Sequence, residues 1–312
     1  MKNKIKKIFG VDQDFLAEVL IENASAMGYL QGALSEEILK QMLIDLGYEV
    51  FRIKEKPAGG FDSKIDNYKG DFLVKKPEDD LWLVIESKGL KTNSEFRGTN
   101  KIGEKNRKSI INKINRIIEV DKKEVYKKGY NKYMTTKNDW ESNNPGKTFP
   151  DFEWNEDYPG PNSVDLSDYF KSKKEIEDYF NSIDVGKFSE KAFRDKTAAY
   201  YILETHKPNT RVDEETKIKQ AAPLKTDFSI LAVDLFQRYG EHKIVFADAN
   251  QLSHSPTSPK HLYQNYLIDI LIPGLKDELK INKPWYSSID ELLKNSNPRR
   301  VKFDETQIDY RD

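Results

Sequence analysis

Two apolar runs, DFLVKK (71–76) and LWLVIESK (81–88), stand on either side of Pro77-Glu78-Asp79-Asp80, and this arrangement constrains the fold more than any other stretch. Both runs have the length of strands rather than helices, and a proline at the head of a short acidic segment is a turn signal, so a β-hairpin is predicted. Strand side chains alternate, which puts Glu86 and Lys88 on one face together with Trp82 and Val84. If the four-residue turn is symmetric, Lys76 pairs with Leu81, Val74 with Leu83 and Asp71 with Glu86. Two carboxylates facing each other at the end of a hairpin repel. A divalent cation relieves that repulsion, and Mg²⁺ prefers hard oxygen ligands with water or phosphate completing its shell.

The rest of the chain supplies more strands and helices around this hairpin. Asp14 to Ala33 and LSEEILKQMLIDLGYEV (34–50) read as helical, with Leu39, Met42, Leu43 and Leu46 at helical spacing and Gly47 as the stop. YEVFRIK (48–54) reads as a strand, SIINKINRIIEV (109–120) as a helix, and 138–165, with four prolines, as an irregular loop. Further on, 173–183 and 189–206 read as helices, 228–235 and 242–249 as strands, 266–272 as a strand or short helix, and 288–295 as a helix capped by Ser288. The predicted class is α/β, a mixed central sheet flanked by helices and elaborated by an insertion. Residues 1–120 form the core with the Asp71, Glu86 and Lys88 site, 121–225 the insertion, and 226–312 C-terminal strands and a helix that complete the fold or contact a ligand.

Composition removes whole classes of chemistry. The chain has no cysteine and four histidines in 312 residues, so disulfides, thiolate metal sites and cysteine nucleophiles are excluded. The histidines His206, His242, His254 and His261 show no metal-binding spacing, and no dinucleotide, phosphate-loop or serine-hydrolase motif occurs. Membrane insertion and secretion are not expected, since no long apolar run or signal peptide is present, and a cytoplasmic location follows.

The net charge of −1 conceals a strong segregation. Lys88 to Lys137 holds 15 basic residues against 5 acids, whereas Asn138 to Val185 holds 12 acids against 4 lysines. The basic stretch includes Lys91, Arg97, Lys101, Lys105, Arg107 and Lys108, followed by lysines interleaved with Tyr126, Tyr130 and Tyr133. That mixture suits phosphate contacts and stacking on nucleic acid, or else a solvated helix face.

Beside the two acids, Lys88 is placed to orient or help deprotonate a water and to stabilise charge on phosphate. Glu36 lies about 70° from the apolar centre of its helix, where a carboxylate supporting a metal could sit, and Glu37 lies on the solvent side. Asp62 and Asp66 read as turn residues of a glycine-rich connector, Gln41 as exposed, Trp82 as core, Asp248 as a strand-end turn residue, and 253–261 as a Ser/Pro-rich loop.

Over about residues 34–120 the sequence resembles the PD-(D/E)xK nuclease superfamily, best known from type II restriction endonucleases. Asp71 matches the first metal-binding acid, Glu86 the second, Lys88 the catalytic lysine and Glu36 the frequent helix glutamate, with Gly70 where the family name has proline. The resemblance implies a restriction-endonuclease-like core and Mg²⁺-dependent hydrolysis of phosphodiester bonds in double-stranded DNA. It further implies a homodimer acting on a symmetric target and a cognate methyltransferase as a separate protein. The alternatives are a repair or recombination nuclease of the same fold, or a DNA-binding module without catalysis.

Overall fold

The computed structural model describes residues 2–54, 69–90, 104–118, 122–150, 164–205, 210–302 and 308–309. The chain opens with α1 (Lys2–Phe9), α2 (Gln13–Glu22) and α3 (Ala24–Asp45), followed by β1 (Glu49–Arg52), β2 (Phe72–Lys75) and β3 (Leu83–Gly89). Next come α4 (Glu104–Ile118), α5 (Lys122–Asn143), α6 (Lys173–Ser182), the short α7 (Glu190–Arg194), β4 (Tyr201–Glu204), β5 (Arg211–Val212) and β6 (Lys219–Gln220). The C-terminal third holds β7 (Ile230–Asp234), the single turn α8 (Phe236–Tyr239), β8 (Ile244–Asp248), β9 (His254–Ser255), β10 (Ser258–Leu262), β11 (Leu267–Leu271), β12 (Trp285–Tyr286) and α9 (Ile289–Asn295).

Six strands form the main sheet in the order β1-β2-β3-β7-β8-β12. It is mixed: β3 and β7 run parallel, and the other neighbours run antiparallel. The α/β class and the mixed sheet flanked by helices are therefore as expected. The hairpin register is also the expected one, with Val74 opposite Leu83 and Phe72 opposite Ile85.

The alternation of β2 and β3 divides the interior into two layers. Phe72, Val74, Leu83 and Ile85 face Leu39 and Leu43 of α3 and Ile289 and Leu292 of α9. Leu73, Trp82 and Val84 face the other way, into a larger core with Ile110 and Ile114 of α4 and Ile176 and Phe180 of α6. Trp82 is core, as predicted, and its backbone is bridged to Val301.

Helix boundaries follow local chemistry. Asn23 separates α2 from α3, its side chain accepting the Ala26 N–H at 3.1 Å, so the predicted first helix is two. Ser288 caps α9 by accepting the Glu291 N–H at 3.1 Å. Gly47 ends the α3 region with φ near +81°, a conformation that favours glycine.

Three expectations are corrected. Residues 138–143 continue α5 instead of opening a loop. The predicted helix over 189–206 is helical only at Glu190–Arg194, and Tyr201–Glu204 is a strand paired with β11. That pairing buries Tyr201, Ile202 and Leu203, whose aromatic and branched side chains fit a pleated surface, and tertiary burial overrides the helical spacing. It also settles 266–272 as a strand. The 253–261 stretch is not a bare loop, since it carries the β9–β10 hairpin.

Gly70 marks a place where the two central strands meet closely. A Cβ there would lie 2.6 Å from Val84 Cγ1 and 2.8 Å from the Ile85 carbonyl oxygen. Glycine at this position thus has a steric reason in this chain. Gly70→Ala is expected to cost about 1–3 kcal/mol by forcing β3 aside, read as a lower midpoint in urea unfolding; an unchanged midpoint contradicts it.

Candidate active site

The site grows from the ends of β2 and β3. Beyond the Phe72–Ile85 pair the ladder changes: the Asp71 N–H donates to the Ile85 carbonyl at 2.8 Å, and the Asp71 carboxylate accepts the Ser87 N–H at 2.7 Å. Asp71 is thus tied by its side chain to the strand that carries Glu86 and Lys88. On β3, Glu86 and Lys88 share the side of the sheet that carries Val84. Their side chains meet as an ion pair between Lys88 Nζ and Glu86 Oε1. The other oxygen, Glu86 Oε2, is buried and has no hydrogen-bond partner among the described residues.

Burial and mutual repulsion shape the titration of this group. Loss of solvation, then the Glu86 charge, raise the Asp71 pKa well above the ordinary range, against the pull of Lys88 and the Ser87 N–H. Glu86 is raised too, burial outweighing the attraction of Lys88. Lys88 is raised as well: burial lowers it, but Glu86, Asp71 and the more distant Glu36 together outweigh that, so it stays an ammonium. Two carboxylates that resist ionisation, one with an orphaned oxygen, form a donor set suited to a small divalent cation. Among the described residues no group of three or more His, Asp or Glu converges as a metal cage, so a cation here would take two protein carboxylates and complete its shell with water or substrate oxygens.

Glu36 sits at the edge of the buried face of α3, as expected. α3 packs on the opposite layer, and the Glu36 carboxylate is engaged by Arg52 at 2.5 Å. Arg52 lies opposite Phe72 on β1, its guanidinium over the Phe72 ring. The Glu36 charge acts on both Asp71 and Lys88, raising the pKa of each. Glu37 is the more exposed of the two and lies 3.7 Å from Arg52.

A cleft of about 30 Å³ opens beside the pair, lined by Lys69, Glu86, Lys88, Arg211, Asp227 and Phe228. That is room for about two waters or atoms of similar size. Asp227 and Arg211 were not anticipated. Asp227 stands just before β7, the parallel neighbour of β3, and an acid at the head of such a strand was the available signal. Its carboxylate accepts the Leu224 N–H at 2.9 Å and Arg211 Nε at 3.3 Å, and its carbonyl accepts the Lys69 N–H at 3.0 Å. Burial nonetheless raises its pKa. Arg211 carried no sequence signal at all.

The basic stretch separates into two kinds of residue. Lys105 and Lys108 are exposed on α4. Arg107 is buried and belongs to the core: its guanidinium donates to the Ile183 carbonyl, pairs with Glu104 at 2.8 Å and lies over the Phe188 ring. One face of α4 packs inward, and Arg107 falls on it next to Ile110 and Ile114, so its assignment to DNA is corrected. Lys91, Arg97 and Lys101 lie outside the described residues, as do Asp62, Asp66 and His206. On α5, Tyr126 and Tyr130 are stacked with ring centroids 6.3 Å apart, while Tyr133 is buried against Phe149.

Gln41 is exposed and bonds to Asp45. Asp248 accepts the Asn250 N–H at 2.9 Å, the turn role expected of it. Among the described residues no helix is long and apolar enough to cross a membrane.

The chain matches no family model, no curated protein and no solved structure.

Proposed function

We propose that the protein is a Mg²⁺-dependent endonuclease with a restriction-endonuclease-like core, hydrolysing phosphodiester bonds in double-stranded DNA, and that it is a type II restriction enzyme. The observation that carries this reading is the buried, partnerless Oε2 of Glu86, set beside the solvent-starved Asp71 carboxylate and the Lys88 ammonium at the edge of a cleft. Asp71 and Glu86 would hold Mg²⁺, which when bound supplies positive charge to the phosphate oxygens.

Lys88 acts as an ammonium. Its charge orients the attacking water and offsets the negative charge that grows on phosphorus-bound oxygens. The oxygen of that water forms the new bond to phosphorus as the bond to O3′ breaks. One of its protons ends on the departing O3′, leaving a 3′ hydroxyl and a 5′ phosphate. The exposed Lys105 and Lys108, and further lysines on α5 such as Lys127 and Lys128, are suited to the DNA backbone on either side.

The test is incubation of the protein and a Lys88→Ala variant with unmethylated phage DNA, in Mg²⁺ and in EDTA. Discrete fragments that need Mg²⁺ and fall by about 10²–10³-fold in rate in the variant are expected. A smear with the same dependence points to a repair or recombination nuclease. Intact DNA with salt-sensitive binding leaves a DNA-binding module and overturns the catalytic reading.

A further inference from the structure

We infer that Arg211, contributed by the 121–225 insertion, grips a DNA phosphate in the Glu86/Lys88 cleft, with Asp227 as the residue that positions it. This rests on the nuclease reading above and gives the insertion a part in the same site.

Arg211 is built to be held still and to present its tip. It pairs with Gln220 in the β5–β6 hairpin, and its own carbonyl lies 3.3 Å from His261 Nε2. His261 is fully buried and bonded through Nδ1 to the equally buried Ser258 at 2.7 Å. On the side chain, Nε is committed to Asp227. The two terminal nitrogens make no bond to any described residue, and the side chain keeps 31% of its exposure at the cleft wall. A guanidinium anchored through Nε leaves a planar fork whose spacing suits two oxygens of one phosphate.

The company it keeps points to the same ligand. Three cations, Lys69, Lys88 and Arg211, border a 30 Å³ cleft that also holds Glu86 and Asp227. Asp227 is occupied by Arg211 and the Leu224 N–H, and Glu86 by Lys88 on one oxygen. An anion entering the cleft therefore meets the Arg211 fork with its partner acid already engaged behind it. Asp227 also bonds the backbone of Lys69, which leads directly into Asp71, so the arginine and the carboxylate pair are fixed to one frame.

The experiment uses the full-length protein and labelled duplex DNA in two measurements. Binding is followed against salt concentration in the Lys88→Ala background in EDTA, where DNA stays intact. Adding Arg211→Ala is expected to lower the slope of log affinity against log salt by about one. Arg211→Lys keeps the charge and is expected to keep the slope. Cleavage rates are then compared with Lys88 present. Arg211→Ala is expected to be slower by about 10²-fold, Arg211→Lys to recover only part of that, and Asp227→Asn to be slow in the wild type yet harmless once Arg211 is alanine.

A wild-type protein that cuts DNA while Arg211→Ala retains both slope and rate overturns the arginine grip alone. An Asp227→Asn loss that persists in the Arg211→Ala background overturns the positioning role. Wild-type protein that neither binds nor cuts DNA overturns the nuclease reading, and this inference with it.

Discussion

Asp71→Asn is expected to yield a protein that melts higher than the wild type at pH 8 in the absence of metal and cuts DNA at least about 10³-fold more slowly. Both effects come from the same burial. The Asp71 pKa is raised first by lost solvation and then by Glu86, so near neutral pH the folded state either keeps a proton that the unfolded chain releases or holds an unfavourable charge. Stability therefore falls as pH rises from the ordinary carboxylate range, near 4, toward the raised value. Asparagine keeps an oxygen for the Ser87 N–H and removes the charge. The gain in the variant should be close to nil near pH 3.5, where both states are protonated, and grow to about 1–3 kcal/mol at pH 8.

Thermal melts across pH, with and without Mg²⁺, measure it directly. On the proposed function, wild type should gain stability from Mg²⁺ at pH 8, since an ion held by Asp71 and Glu86 would bind only the folded state, and the variant should lose that response. A variant that melts lower than wild type at every pH would show that the Ser87 bond needs the full carboxylate and would remove the argument for a strained acid pair.

The largest expected effect on stability lies away from the site. Asp269 on β11 is fully buried, and Lys276, 3% exposed, reaches it with Nζ–Oδ2 at 2.5 Å. Lys276 also donates to the Ile270 carbonyl at 2.9 Å, and the Lys280 N–H donates to the same Asp269 oxygen at 2.8 Å. Asp269 Oδ1 already has no partner among the described residues. Lys276→Ala leaves that carboxylate in an apolar layer with a single backbone donor, and the expected loss is about 3–5 kcal/mol. Pairing it with Asp269→Leu should restore much of the loss, since the damage is the stranded charge and not the missing attraction. Urea unfolding of both variants decides this; a double variant no more stable than the single one places the damage in packing instead.

The hairpin was legible because two local rules agreed. Alternation placed Glu86 with Lys88, and a four-residue turn fixed Val74 against Leu83. The helical spacing of α3 was legible for the same kind of reason, as were Ser288 and Gly47 at helix ends. The edge position of Glu36 was legible from the helical wheel, but its partner Arg52 was not, because a wheel does not show what the next strand brings beside the helix. Arg107 was misread because charge marks a surface only when the helix face is known, and its guanidinium finds a carbonyl, an acid and a ring inside. The 189–206 error has a third cause: Tyr201–Glu204 becomes a strand only through β11, more than sixty residues later. Asp227 and Arg211 likewise reach Glu86 only through tertiary structure, which a local pattern does not encode.

The parallel pairing of β3 with β7 sets when the cleft can exist. Gly89 ends one strand and Ile230 begins the other, so closing this pair orders a very long intervening chain, which makes it a slow step of high contact order. During synthesis the hairpin bearing Asp71, Glu86 and Lys88 emerges well before Arg211, Asp227 and the strand that walls the cleft. Nascent chains consequently carry the two acids and the lysine before the cleft beside them can form, and the cleft closes only once β7 has emerged.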